Sequence, residues 1–206
     1  MKLMEIRMTK ALEFYFDYIS PYSHIANAAV KQLKERTGAA VEIRPMFLGA
    51  VMQGSGNRPP GMVPAKNTYM LADLQRCARR YGLSIRMNPY FPMVSTRDLL
   101  RATIGLAGDP DKQQRFIDTC FRYMWETPEA LKPDDDASVK AMCDAEGFDF
   151  EEIKALAADE TNKAAMKDNT DTAIARGAFG SPTFFVGEDM FFGHDRLDYA
   201  AEALTA

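Results

Sequence analysis

From Leu12 to Tyr18 the chain alternates: Leu12, Phe14, Phe16 and Tyr18 share one face, and Glu13, Tyr15 and Asp17 the other. A period of two marks a strand. Ser20 and Pro21 follow, a hydroxyl suited to a helix N-cap and a proline at the first helical position, where its missing N–H costs nothing. Ile25, Ala26, Ala29, Val30 and Leu33 then recur at three- and four-residue spacing. Lys31, Lys34 and Arg36 gather toward the end and Gly38 stops the pattern, so a helix is predicted over this stretch. Val41 and Ile43 alternate with Glu42 and Arg44 as a second strand that ends near Pro45. The chain opens β-α-β.

Its character then changes. Residues 49–64, punctuated by Gly49, Gly54, Gly56, Pro59, Pro60 and Gly61, read as a loop. Helices are predicted over 65–81, 96–107, 110–126, 136–146 and 150–176, the third capped by Asp109 ahead of Pro110, the last broken near Asp159 and ended by Gly177. Met70, Leu74, Cys77, Ala78 and Tyr81 form the apolar stripe of the first of these. Apolar runs at 183–186 and 190–192, separated by Gly187, Glu188 and Asp189, have hairpin chemistry. Asp195 is expected to cap a last helix that carries Leu197, Ala201 and Leu204. Two halves of an α/β unit thus flank a helical excursion, with no internal repeat.

A length of 206 residues fits one folded unit with a large insertion. With 25 Lys plus Arg against 29 Asp plus Glu, the net charge of −4 provides no broad basic field for a phosphate backbone or an anionic membrane surface. No stretch approaches the 18 or so apolar residues of a membrane span. The first ten residues alternate charged and apolar side chains without a run of signal-peptide length, so they read as a lead-in, with Met8 as an alternative start and a cytosolic location expected. Cys77, Cys120 and Cys143, spaced 43 and 23 apart, exclude a CxxC pair and every compact zinc spacing, and their odd number argues against a disulfide framework. Two histidines, His24 and His194, suggest no metal site.

Three segments carry candidate chemistry. The run 17–23 lies at a strand-to-helix junction, where backbone N–H groups and the helix dipole favour an anion, although Ser20 and Pro21 also suffice as a plain cap. Pro182, after Gly180 and Ser181, is a candidate cis peptide; a trans proline opening an edge strand is the alternative. Gly193 to Arg196 forms a further helix start, in which Asp195 serves as a cap with or without a function.

Together these elements follow the order of the thioredoxin fold, with Ser20 and Ser23 standing where that fold carries CxxC. The sequence resembles the 2-hydroxychromene-2-carboxylate isomerases and, more distantly, the kappa-class glutathione transferases, relatives of DsbA with a helical domain inserted in a thioredoxin fold. The resemblance runs from about Leu12 to Leu204. It is carried by Phe14 to Ser23 (FYFDYISPYS) with Ala26 and Asn27, by Asn57 to Pro60 (NRPP) with Lys66, by Asp73 to Arg76 (DLQR) with Tyr81 and Gly82, by Phe179 to Thr183 (FGSPT) and by Phe192 to Arg196 (FGHDR). Departures fall at His24, Ser181 and His194, where many relatives carry an aromatic residue, valine and asparagine.

The resemblance implies an α/β, thioredoxin-like fold with an inserted all-α domain: residues 12–62 and 177–206 as a discontinuous glutathione-binding domain, 63–176 as the insert. It implies glutathione as cofactor, a small aromatic acid as substrate and a homodimer. Ser20 would be the catalytic contact of the glutathione thiol. A free thiol with pKa near 8.5 is only a few per cent ionised at pH 7; a helix N-terminus contributing roughly 0.3–2 kcal/mol lowers that by up to about 1.5 units. Ser181 and Pro182 would pair with the cysteinyl backbone, His194, Asp195 and Arg196 would hold the γ-glutamyl end, and Asn57 and Lys66 would lie near the glycyl end or the substrate. Tyr22, Phe47, Asn88 and Tyr90 are candidates for the substrate wall, with Met46, Met52 and the run 87–93 beside them; Arg58, Arg86 and Arg97 are candidates for a substrate carboxylate. The implied reaction interconverts 2-hydroxychromene-2-carboxylate and trans-o-hydroxybenzylidenepyruvate by addition and loss of the thiolate. A kappa-like transferase and a non-catalytic thiol-peptide binder are the rival expectations.

Overall fold

The structure is a computed structural model that describes residues 10–205. Most of the expected lead-in, with Met8, lies outside the described residues. Strand β1 (Leu12–Phe16) sits inside a four-stranded sheet of order β2-β1-β3-β4. It pairs parallel with β2 (Val41–Pro45), Phe14 opposite Ile43, and antiparallel with β3 (Thr183–Val186), Phe14 opposite Phe184. β4 (Asp189–Phe192) closes the hairpin with β3 around Gly187, whose φ of +61° a glycine adopts freely.

Helix α1 (Pro21–Thr37) connects the parallel pair. Ser20 is its N-cap and Gly38, in the left-handed region, its C-cap, both as the sequence predicts. α2 (Leu48–Ser55) occupies much of the expected 49–64 loop. Its first amide is capped from outside: Leu48 N–H donates to Asp17 Oδ2 at 2.9 Å, while Phe47, at the N-cap position, offers no side-chain acceptor. That remote acceptor is why local pattern alone does not reveal this helix.

The long helical stretch comprises α3 (Pro64–Arg80), α4 (Arg97–Gly105), α5 (Pro110–Trp125), α6 (Asp136–Glu146), α7 (Phe150–Ala158) and α8 (Glu160–Ala175). Asp109, Asp135, Asp149 and Asp159 accept first-turn amides, which is why the predicted starts and the break at Asp159 match. The last helix, α9 (Leu197–Thr205), is preceded by a 3-10 turn at His194–Arg196. Asp195 therefore sits inside that turn rather than capping α9, a correction to the sequence reading. No helix among the described residues is long and apolar enough to cross a membrane.

One apolar core runs from the sheet into the helices. Phe14 stacks on Phe184 at 5.1 Å between ring centroids, and Phe16 and Tyr18 meet Phe121 of α5 at 5.5 and 4.8 Å. Polar bonds fix the register of this contact. Trp125 Nε1 donates to Tyr18 O at 2.8 Å, the Tyr18 hydroxyl pairs with Thr103 Oγ1 at 2.6 Å, and Asp118 of α5 accepts from Asn27 and Lys31 of α1. His24 joins the same seam, its Nε2 2.6 Å from Glu126 Oε1 and its ring stacked on Phe121. The loop between β1 and α1 is thereby anchored on helices far away in sequence.

The three cysteines are free thiols, Cys120 and Cys143 buried and Cys77 half-buried. Burial raises the pKa of each; Asp73 adds to the effect at Cys77, and Cys143 is pushed up to about 11.

Candidate active site

Two backbone turns face each other where β1 ends. Pro182 follows a cis peptide bond, and Ser181 ahead of it meets the segment that runs from β1 into α1 at three points. Ser20 Oγ donates to Ser181 O at 2.9 Å, Ser23 Oγ and Ser181 Oγ lie 2.7 Å apart, and Asp17 N–H donates to Ser181 Oγ at 3.1 Å. Ser20 Oγ also accepts from Ser23 N–H at 3.2 Å. In the first turn of α1, Pro21 has no amide hydrogen and that of Ser23 is taken, so the Tyr22 N–H is the donor left at the helix end. A serine hydroxyl, an open amide and a helix N-terminus thus converge on one spot, a combination suited to an anion.

This spot opens into a cavity of about 830 Å³, within the size range of small-molecule sites. Ser20, Tyr22, Phe47, Asn57, Lys66, Ser181, Pro182, His194 and Asp195 all line it. Asn57 Nδ2 donates to Phe179 O at 2.7 Å, tying its loop to the cis-proline loop. Gly193, at φ +99°, would place a Cβ 2.7 Å from Asp195 Oδ1, so the glycine is what lets this carboxylate fold back over its own turn. His194 stacks on Tyr22 with 5.5 Å between centroids and 12° between planes; burial lowers its pKa, which keeps the imidazole neutral at pH 7.

Three expected residues lie elsewhere. Asn88 is buried and fully engaged, donating to Leu131 O at 2.8 Å and accepting from Tyr90 N–H at 2.9 Å; it builds the turn behind the cavity and does not line it. Tyr90 is 43% exposed on the outside of that turn. Arg196 points back along its own turn to Asp195 Oδ2 at 2.7 Å and is also absent from the lining. Of the sulfur-rich wall, Met52, Met87 and Phe91 line the cavity, whereas Met46 is fully buried in the small core under β1 and Met93 is exposed. His24 faces the α1–α5 seam rather than the cavity; His194 reaches it.

The sequence reading assigned no role to two carboxylates on the wall. Asp73 accepts from the Tyr22 hydroxyl at 3.1 Å and from Tyr69 at 3.4 Å, which helps to raise the Tyr22 pKa beyond what burial alone does. Asp17 is fully buried, accepting from Ile19 N–H, Leu48 N–H and the Thr96 hydroxyl. Burial raises its pKa and these donors oppose the rise. Its place on the polar face of the Leu12–Tyr18 alternation was a weak signal, since a carboxylate there reads as solvent-facing.

A mixed sheet of this order, a serine-capped helix and a facing cis-proline define a thioredoxin-like protein without a redox pair. The chain belongs to the DSBA-like thioredoxin domain family, whose sequence profile matches residues 11–205. It is 29% identical to a 2-hydroxychromene-2-carboxylate isomerase of Sphingobium xenophagum, over 93% of this chain and 96% of the relative, and 31% identical to glutathione S-transferase kappa 1 of Caenorhabditis elegans, over 94% and 90%. Among solved structures, a 2-hydroxychromene-2-carboxylate isomerase superposes with a TM-score of 0.81 at 25% identity, over 95% of this chain and 94% of that one.

Proposed function

We propose that this chain is a glutathione-dependent isomerase. The observation that carries the reading is Ser20 at the N-cap of α1, 2.9 Å from the carbonyl of the residue before the cis-proline. The residues present fit the tripeptide: backbone groups of residue 181 for its cysteinyl unit, Asp195 and the neutral His194 for its γ-glutamyl end, Asn57 and Lys66 for its glycyl carboxylate. When bound, glutathione supplies a thiolate that adds to a conjugated double bond, lets it turn as a single bond, and leaves. Ser20 Oγ and Tyr22 N–H stabilise the sulfur as an anion, and Ser20 gives up its bond to Ser181 O to do so. Residues 12–62 and 177–206 bind the peptide; the inserted 63–176 contribute Lys66 and much of the remaining wall. A homodimer in a reducing compartment is part of the same proposal.

Ser20→Ala is expected to lower kcat by about 100-fold, the scale of one lost anion-stabilising donor, with a change in glutathione affinity of threefold or less by calorimetry. An unchanged rate would exclude Ser20 as the thiol partner. The likeness to a kappa transferase supports a second reading, conjugation of an electrophile. Product mass separates the two, since an isomer keeps the substrate's mass and a conjugate gains that of glutathione.

A further inference from the structure

The charges on the cavity wall bear on what stands beside the tripeptide. Three carboxylates, Asp17, Asp73 and Asp195, line the cavity, and Lys66 is the only permanent cation among its described lining residues. Under the glutathione reading Lys66 is already engaged by the glycyl carboxylate. His194 adds no charge at pH 7, because burial disfavours its protonated form.

None of the three candidate arginines lines the cavity. Arg97 holds its guanidinium 4.2 Å from the centroid of the Phe47 ring, and the ring, not the cation, faces the cavity. Arg58 lies in an adjoining groove that shares Asn57, Pro59, Pro60 and Lys66 with the cavity, beside the proposed glycyl end, and does not itself line the cavity; Arg86 is exposed and lines neither. The apolar part of the wall includes Ile19, Phe47, Met52, Met70, Met87 and Phe91. Polarisable thioethers and arene faces of this kind accept flat apolar groups. A carboxylate carried against this apolar stretch would lose its hydration, find no free cation to pair with and meet like charge.

We infer that the acceptor side of this cavity selects an uncharged apolar electrophile and rejects one that bears a carboxylate. This specificity rests on the glutathione reading of the site.

The test is binding, by titration calorimetry of the whole chain at low ionic strength, of glutathione, S-benzylglutathione and S-(4-carboxybenzyl)glutathione. The benzyl ligand is expected to bind about tenfold or more tightly than the carboxybenzyl ligand, with the gap narrowing at about 0.5 M salt as screening weakens the repulsion. Met87 is 41% exposed on the wall, so Met87→Lys is expected to strengthen carboxybenzyl binding relative to benzyl binding and so narrow the gap between the two ligands. A carboxybenzyl ligand that binds the unaltered protein as tightly as the benzyl ligand, or more tightly, overturns the inference, as does a gap that Met87→Lys fails to narrow. Failure of glutathione itself to bind is a different result: it removes the reading of the site on which the inference stands.

Discussion

Asp17 ties three separate segments together behind the site. Its carboxylate takes donors from its own loop, from the start of α2 and from Thr96 ahead of α4, while its amide holds Ser181 Oγ. Asp17→Ala leaves two amides and a buried hydroxyl without an acceptor. It is expected to cost about 3–5 kcal/mol, read from urea unfolding. His194 sets an acid limit. Its folded pKa lies below the unfolded value near 6.5, so the unfolded chain binds the proton first. Its contribution to stability is present above about pH 6.5 and is lost as pH falls through the folded pKa. His194→Gln is expected to shrink the loss of Tm between pH 7 and pH 5.5; an equal loss would mean that other groups cause it. Ser20, Ser181 and Asp195 were legible because each sits at a turn whose chemistry shows in its neighbours. Asn88, Tyr90 and Arg196 misled because their residue types suit a pocket wall, while the bonds that turn them away run to Leu131, to a backbone amide and to an adjacent carboxylate.

At the scale of elements, legibility followed the location of each cap. α5, α6, α7 and α8 carry an aspartate at their own start, and pattern alone finds them. α2 borrows its cap from 31 residues away and was read as loop. Asp159 serves two helices at once, closing α7 and accepting from Thr161 and Asn162 at the start of α8. Asp159→Ala is expected to destabilise the protein by about 1 kcal/mol, seen as a lower urea midpoint with an unchanged slope. A full loss of cooperative folding would mean that the break does more than cap.

Across the whole molecule, the succession of strands and helices and the helical excursion were visible in the sequence, because alternation and helical spacing report which face each element buries. The seam between them was not. Tyr18 to Thr103, Trp125 to Tyr18 and Asn27 to Asp118 join residues 85 to 107 positions apart, and no local pattern encodes such a pairing. The cavity draws on both parts, its wall combining residues of the turn at 87–94 with the cis-proline loop.

The state of the three thiols has a consequence for life beside a reactive substrate. A soft electrophile attacks thiolates, and burial holds Cys77, Cys120 and Cys143 protonated at neutral pH. The chain therefore presents no thiolate of its own beside a site proposed to handle such compounds, and the reactive thiolate there is the one that arrives with glutathione. Incubated at pH 7 with N-ethylmaleimide and an excess of glutathione, the protein is expected to keep its mass while the tripeptide is alkylated; rapid labelling of Cys77 would end that immunity.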